Sequence, residues 1–298
     1  MHVLAAIFRS GDSVSFSVER RLILLILPMM LSGSLLSQTL SSPESVRFDS
    51  AAARFLISNR GAGGSIQARD LFGNLTLFSA DPISPAGIEI VGNLLYVADQ
   101  AVVRSYALST GLPVATLSIP GAAFLNGMIS DGADRLWVSD FTARKIHELD
   151  ISNPNVLTQR EFQSGLGFQP NGLRFDMPNQ RLLVASWGTG RIFNAALDGS
   201  AIPLLFDVGS TNIDGVTLDC DGALYLSSWG AAAIKRYPPP ITSASVGVNF
   251  VNPLSNPADI SYAPELGVIA SPNAGSSTVT LHNTNCVGVS FRDRFEDR

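Results

Sequence analysis

Four oxygen-bearing side chains recur at one position of a repeating motif: Glu44, Asn126, Asn171 and Asp214. The two other copies of the motif carry Ala86 and Ala258 at that position. Two carboxylates balance a divalent cation, and two side-chain amides add neutral oxygens. No His or Cys belongs to the set. Its hard oxygens therefore favour Ca2+ and also suit Mg2+ or Mn2+, with Zn2+ a weaker match. A second reading stands beside the metal: Asn-Gly and Asp-Gly are strong turn signals in their own right. The first copy, however, opens with Glu44-Ser45, which is not a turn dipeptide.

Residues so far apart can meet only if a repeat brings them together. The segments 43–49, 85–90, 125–128, 170–176, 213–219 and 257–262 share one pattern of entry residue, small residue and β-branched or aromatic run. A second run follows each of them, at 55–59, 96–99, 137–140, 183–186, 225–228 and 268–271. Third runs stand out at 102–106, 145–149, 191–193 and 233–237, and weaker fourth runs at 74–78 and 203–206. Successive motifs lie 40 to 45 residues apart. That period, with about four short strands per repeat, is the signature of propeller blades. The expected fold is all-β: a six-bladed β-propeller of four short antiparallel strands per blade, over residues 41–286, as a monomer. The innermost strand of each blade lines the central channel, so its first residue belongs at the channel mouth.

Composition agrees with this class. Only 15% of residues are charged, and 26 Gly and 17 Pro are spread along the chain, a pattern of many turns and few long helices. The formal net charge of −5 speaks against a nucleic-acid partner, which needs clustered Lys and Arg. Arg20-Arg21 precede an apolar run over 22–36 that contains Pro28 and the small residues Ser32, Gly33 and Ser34. Residues 1–38 read as a signal peptide, with a true start near Val18, and the protein as secreted or periplasmic. The run is short for a stable membrane span; an uncleaved N-terminal anchor is the other reading. Cys220 and Cys286 are the two cysteines, either one disulfide or two separate thiols.

Other chemistry finds little to build on. His2 lies in the leader, and His147 and His282 lie on outer strands, so a Ser-His-Asp triad has no histidine. No Gly-x-Ser-x-Gly elbow is present, and 61–64 reads as a flexible Gly-rich loop rather than a phosphate cradle.

Over residues 41–286 the chain resembles the senescence-marker-protein, gluconolactonase and luciferin-regenerating-enzyme family of six-bladed propellers, as a divergent exported member. Glu44-Ser45-Val46-Arg47-Phe48-Asp49 is similar to the family's Glu-Gly-Pro-x-Trp-Asp opening, whose Glu binds metal. Pro170-Asn171-Gly172-Leu173 is similar to its Ser-Asn-Gly-Leu stretch, which supplies an Asn ligand. Ile213-Asp214-Gly215-Val216 is similar to its Pro-Asp-Gly-Met stretch, whose Asp is ligand and catalytic base. Asn126-Gly127-Met128 stands for its Asn-Asp-Gly stretch. The chain departs from the family at Phe124, where an Arg often holds a sugar lactone, and at Gly127, where an Asp is usual.

The resemblance implies a divalent-metal-dependent hydrolase of a small lactone or ester. Glu44, Asn171, Asp214 and Asn126 would be the metal ligands, and Asp214 the catalytic base. Asn126, Phe124, Trp187 and Trp229 would face substrate; packing between blades is the alternative for the tryptophans. The rival function is a non-catalytic propeller whose disc face binds a partner. The charged end, 287–298, resembles the Phe-x-Asp-x-Phe-Glu endings of some exported bacterial proteins; it reads as a sorting tail or a frayed terminus.

Overall fold

A computed structural model describes residues 39–61 and 63–287. The signal-peptide region and nearly all of the C-terminal tail lie outside the described residues. Six antiparallel sheets follow one another along the chain, each a meander of sequential strands. Blade 1 is β1 (Pro43–Asp49), β2 (Arg54–Asn59), β3 (Ser65–Asp70) and β4 (Leu75–Ser79). Blade 2 is β5 (Pro85–Val91), β6 (Leu94–Asp99), β7 (Val102–Ala107) and β8 (Pro113–Ser118). Blade 3 is β9 (Leu125–Ser130), β10 (Arg135–Asp140), β11 (Lys145–Asp150) and β12 (Thr158–Gln163). Blade 4 is β13 (Pro170–Asp176), β14 (Arg181–Ser186), β15 (Arg191–Ala196) and β16 (Leu204–Asp207). Blade 5 is β17 (Ile213–Leu218), β18 (Leu224–Ser228), β19 (Ala233–Tyr237) and β20 (Val248–Val251). Blade 6 is β21 (Ser261–Ala263), β22 (Val268–Asn273) and β23 (Thr278–Asn283). The protein is a six-bladed β-propeller. Among the described residues its helix content is one 3-10 turn, Met177–Asn179, and no helix is long and apolar enough to cross a membrane.

The apolar residues do not gather in one central core. They form wedges at the seams between neighbouring sheets, each built from strand residues of two blades. Leu56 and Ile66 of blade 1 meet Ile88 and Leu95 of blade 2. Trp137 and Ile146 of blade 3 meet Leu173 and Leu182 of blade 4. Val46 and Phe55 meet Ala263 and Ala270 across the seam that closes the ring. The second strand of each blade is therefore buried on both faces, which explains why those runs read as continuous apolar segments.

Two expectations are corrected. Among the described residues blade 6 has three strands rather than four, and its first strand is shorter than 257–262. Pro257 and Asp259 form only isolated bridges, to Asn273 and Ser45. Pro257 has no N–H for the ladder, and the Asp259 N–H donates to Glu44 O of blade 1 at 2.8 Å rather than to its own sheet. The cysteines, left open by the sequence, are joined in a disulfide with Cα atoms 6.0 Å apart. It links the end of the blade 5 inner strand to the segment after β23.

The motif glycines are not turn residues. Gly87, Gly127, Gly172 and Gly215 lie in inner strands, and none has a positive φ. A Cβ on Gly127 would fall 2.3 Å from Asn171 O, and one on Gly172 would fall 2.4 Å from Asp214 O. Adjacent inner strands approach so closely at the axis that a side chain has no room there. Blades 1 and 6 carry Ser45 and Asp259 instead, and these hydrogen-bond each other at 2.6 Å.

Candidate functional site

In blades 1 to 5 the ladder between the inner strand and its partner breaks register at the motif; the short β21–β22 ladder of blade 6 does not. The breaks fall between Pro43 and Val46, Pro85 and Ile88, Pro170 and Leu173, and Ile213 and Val216. In blade 3 it falls between Leu125 and Met128, which pair with Asp140 and Val138. Such an irregularity re-aims side chains and is common beside functional sites. Here it spans Glu44, Asn126, Asn171 and Asp214 themselves.

Glu44, Asn126, Asn171 and Asp214 line one cavity of about 160 Å3, together with Phe124, Trp187 and Trp229. All seven residues singled out in the sequence thus share one chamber. Ala86 and Ala258 are fully buried and do not line it. Two further lining residues, Arg60 and Phe141, escaped the sequence reading. Their signal was positional: Arg60, Gln100, Phe141, Trp187, Trp229 and Ala274 each follow the last residue of a second strand. One backbone bond holds this position in several blades. The N–H groups of Arg60, Phe141, Trp187 and Trp229 donate to the carbonyls of Ser42, Phe124, Gln169 and Asn212 at 2.8–3.2 Å. The turn after each second strand is thereby tied to the entry of its own inner strand.

The aromatic residues form a continuous wall over blades 3, 4 and 5. Ring centroids are 5.7 Å apart for Phe124–Phe141, 6.0 Å for Phe141–Trp187 and 5.1 Å for Trp187–Trp229, all edge-to-face. The Arg60 guanidinium lies over the Phe124 ring at 4.5 Å, a cation–π contact. An arginine therefore does reach Phe124, brought from blade 1 across the mouth.

The electrostatics are unbalanced. Neither Glu44 nor Asp214 has an ion-pair partner within 4 Å among the described residues. Burial raises the Glu44 pKa to about 7, opposed by Arg60 and reinforced by Asp259. Burial raises the Asp214 carboxyl well above its usual range, and the charges of Glu44 and Asp259 push it further. The Trp229 indole N–H opposes that rise, yet neither Trp229 Nε1 nor Asp214 Oδ1 completes a hydrogen bond. Two buried carboxylates facing a shared space with an orphaned oxygen are a fit for a divalent cation, since one bound charge would relieve both. The other grouping of acid and sulfur side chains among the described residues is Cys220, Asp221 and Cys286. Its sulfurs are already joined to each other and offer no thiolate.

Neighbouring acids are structural. Asp219 Oδ1 accepts the N–H groups of Asp221 and Ala223, and Oδ2 accepts the Tyr225 hydroxyl at 3.0 Å. Asp140 accepts the N–H groups of Ala123 and Phe124, which fixes the entry to β9.

No protein-family profile matches the chain, and no curated protein matches it. Solved structures do. The β-propeller domain of Cps50 (Swd1) from Myceliophteria thermophila matches with a TM-score of 0.57 at 12% identity, over 84% of this chain and all of that one. A chain of a nidogen/laminin complex matches with a TM-score of 0.58 at 18% identity, over 68% of this chain and 79% of that one. A protein of unknown function from Bacteroides thetaiotaomicron matches with a TM-score of 0.67 at 13% identity, over 84% of this chain and 71% of that one. At these identities the likeness concerns the propeller fold alone.

Proposed function

We propose that the channel mouth binds a divalent cation and serves a hydrolase of small lactones or esters, of the gluconolactonase kind that the sequence motifs resemble. The observation that carries the reading is the pair of buried, unpaired carboxylates, Glu44 and Asp214, facing one cavity with Asn126 and Asn171. Glu44, Asn171, Asp214 and Asn126 would hold the cation, and Ca2+ is favoured because every donor is oxygen. Bound there, the cation would supply charge stabilisation to a carbonyl oxygen and acidity to a water. Asp214 would be the base, the role its motif carries in the resembled family, and burial raises its affinity for a proton. Asn126 contributes an amide to metal or substrate. Phe124, Phe141, Trp187 and Trp229 exclude water and receive the apolar part of the ester. Arg60 adds a positive charge at the rim where negative charge develops. The disulfide supports export, since such bonds persist in oxidising compartments.

A second reading is a cation-bearing binding module without turnover. Phe124 and Gly127 favour it, because they replace the Arg and Asp that often contact substrate in the family motifs. The nidogen/laminin neighbour is a propeller-containing complex, a use of the fold for binding.

The test is thermal unfolding with Ca2+, Mg2+, Mn2+ or Zn2+, for the wild type and Asp214→Asn. A ligand that binds only the folded state raises the apparent Tm. A cation-specific rise that Asp214→Asn abolishes is the expected result, followed by ester and lactone turnover lowered at least a hundredfold in the variant. A rise without turnover leaves the binding module; no rise with any cation sinks the site.

A further inference from the structure

Three residues further along each inner strand, the channel presents a different set: Arg47, Glu89, Ile129, Arg174, Thr217 and Ser261. Two adjoining cavities of about 240 and 270 Å3 open there, sharing Glu89, Ile90, Ile129, Arg174 and Leu218. Arg47 is fully engaged. Its Nε pairs with Glu89 Oε2 at 2.7 Å, its Nη1 with Asp259 Oδ2 at 3.3 Å, and its Nη2 donates to Met128 O at 3.2 Å. Glu89 Oε1 accepts the Ser130 hydroxyl at 3.2 Å. Both nearby acids are thus taken up by other partners.

Arg174 is left over. It makes no hydrogen bond and no ion pair among the described residues, and its Nε is shut off from solvent without an acceptor. Burial, with Arg47 nearby, draws its guanidinium below the usual arginine range. On the same chamber, Ser261 is only 6% exposed and its Oγ also lacks a partner. Arg174 Nε and Ser261 Oγ, both closed off from solvent on one half-open chamber, call for an acceptor, because a buried polar atom without one is destabilising. The planar guanidinium fork matches the two oxygens of a carboxylate. A single negative charge suits the place, since Glu89 and Asp259 would repel a second. Ile129, Phe175 and Leu218 give the chamber apolar walls.

We propose that this lower chamber binds a small monocarboxylate, its carboxylate on Arg174 within reach of Ser261 and its alkyl end against Ile129, Phe175 and Leu218. The site is separate from the cation site and does not depend on it.

The probe is sodium butyrate, with butyramide as its neutral isostere, at matched ionic strength. Binding is read by thermal shift and by saturation-transfer NMR on the butyrate methyl. Butyrate is expected to give a saturable Tm rise and methyl saturation, and butyramide neither. Arg174→Met is expected to weaken butyrate at least tenfold, and Arg174→Lys to weaken it less. Arg174→Met should not unfold earlier by itself, because it removes a half-buried charge that has no partner and breaks no hydrogen bond. Should that variant fail to fold, the butyrate-against-butyramide contrast in the wild-type NMR experiment decides. Asp214→Asn should leave butyrate binding unchanged. Equal responses to butyrate and butyramide, retention of binding in Arg174→Met, or a larger response to sulfate would each overturn the proposal.

Discussion

The two ends of the channel are built from the same six inner strands, three residues apart, and they treat charge in opposite ways. At the lower end the acids Glu89 and Asp259 share one arginine, Arg47, which also reaches backbone carbonyls. At the upper end Glu44 and Asp214 face each other's charge, with Arg60 stacked on an aromatic ring rather than paired to either. Burial is similar in both places. The difference is therefore one of partners, and it separates a structural use of buried charge from one that leaves a vacancy in the electrostatic balance. At the lower end burial also raises the Asp259 carboxyl, but the paired Arg47 opposes that rise. An unbalanced pair stores proton affinity that a cation can replace.

The comparison can be broken most severely at the lower end. Arg47→Ala strands two buried carboxylates, and the expected loss is about 3–5 kcal/mol in chemical denaturation. A loss under about 1 kcal/mol would mean that the network does not hold the inner strands of blades 1, 2 and 6 together.

A smaller effect sharpens the upper end. The Glu44 pKa is raised from 4.5 to about 7 in the folded protein, so the native state binds that proton more tightly than the unfolded chain does. This contribution is fully present below about pH 4.5 and is lost as pH rises through 7; for Glu44 it is on the order of 3 kcal/mol at most. Asp214 is shifted in the same direction. Metal-free protein should thus lose stability as pH rises from about 4.5 through 7 relative to its Glu44→Gln variant, which lacks that titration, and saturating cation should flatten the difference. Parallel pH profiles with and without cation would contradict the imbalance.

The smallest effect concerns Arg60, whose charge lowers the proton affinity of both upper carboxylates and so competes with a cation. Arg60→Gln should tighten cation binding a few-fold, about 1 kcal/mol for the loss of a nearby charge in a solvent-accessible mouth. Calorimetric titration would read it; weaker binding in the variant would show that Arg60 organises the site rather than opposing the cation.

Much of this was legible in the repeat. The spacing of Glu44, Asn126, Asn171 and Asp214 places them at equivalent points of successive blades, and all four reach one cavity. Phe124 was legible as a wall candidate because it stands two residues before Asn126, and Trp187 and Trp229 because each closes the second run of a blade that carries a motif oxygen. Arg60 and Phe141 were not, because a single blade gives no reason to compare the residue after its second strand with that of another blade. The Asn-Gly and Asp-Gly dipeptides were ambiguous, since a glycine needed for close approach is written the same way as one needed for a turn. Fourth strands at 113–118, 158–163 and 248–251 carry exposed, mixed residues and lack the apolar run that marks buried strands.

The sequence by itself determined the number of blades, the order of the inner strands and the residue types at each opening position, because periodicity is a local property repeated along the chain. Tertiary structure alone decided which charges meet. Arg47 lies 42 residues from Glu89 and 212 from Asp259 along the chain, yet pairs with both. Cys220 finds Cys286 across 66 residues. Arg174, on a strand that reads like its neighbours, is left without an acceptor. Pairing depends on distance through space, and that distance is set only when the ring of blades closes.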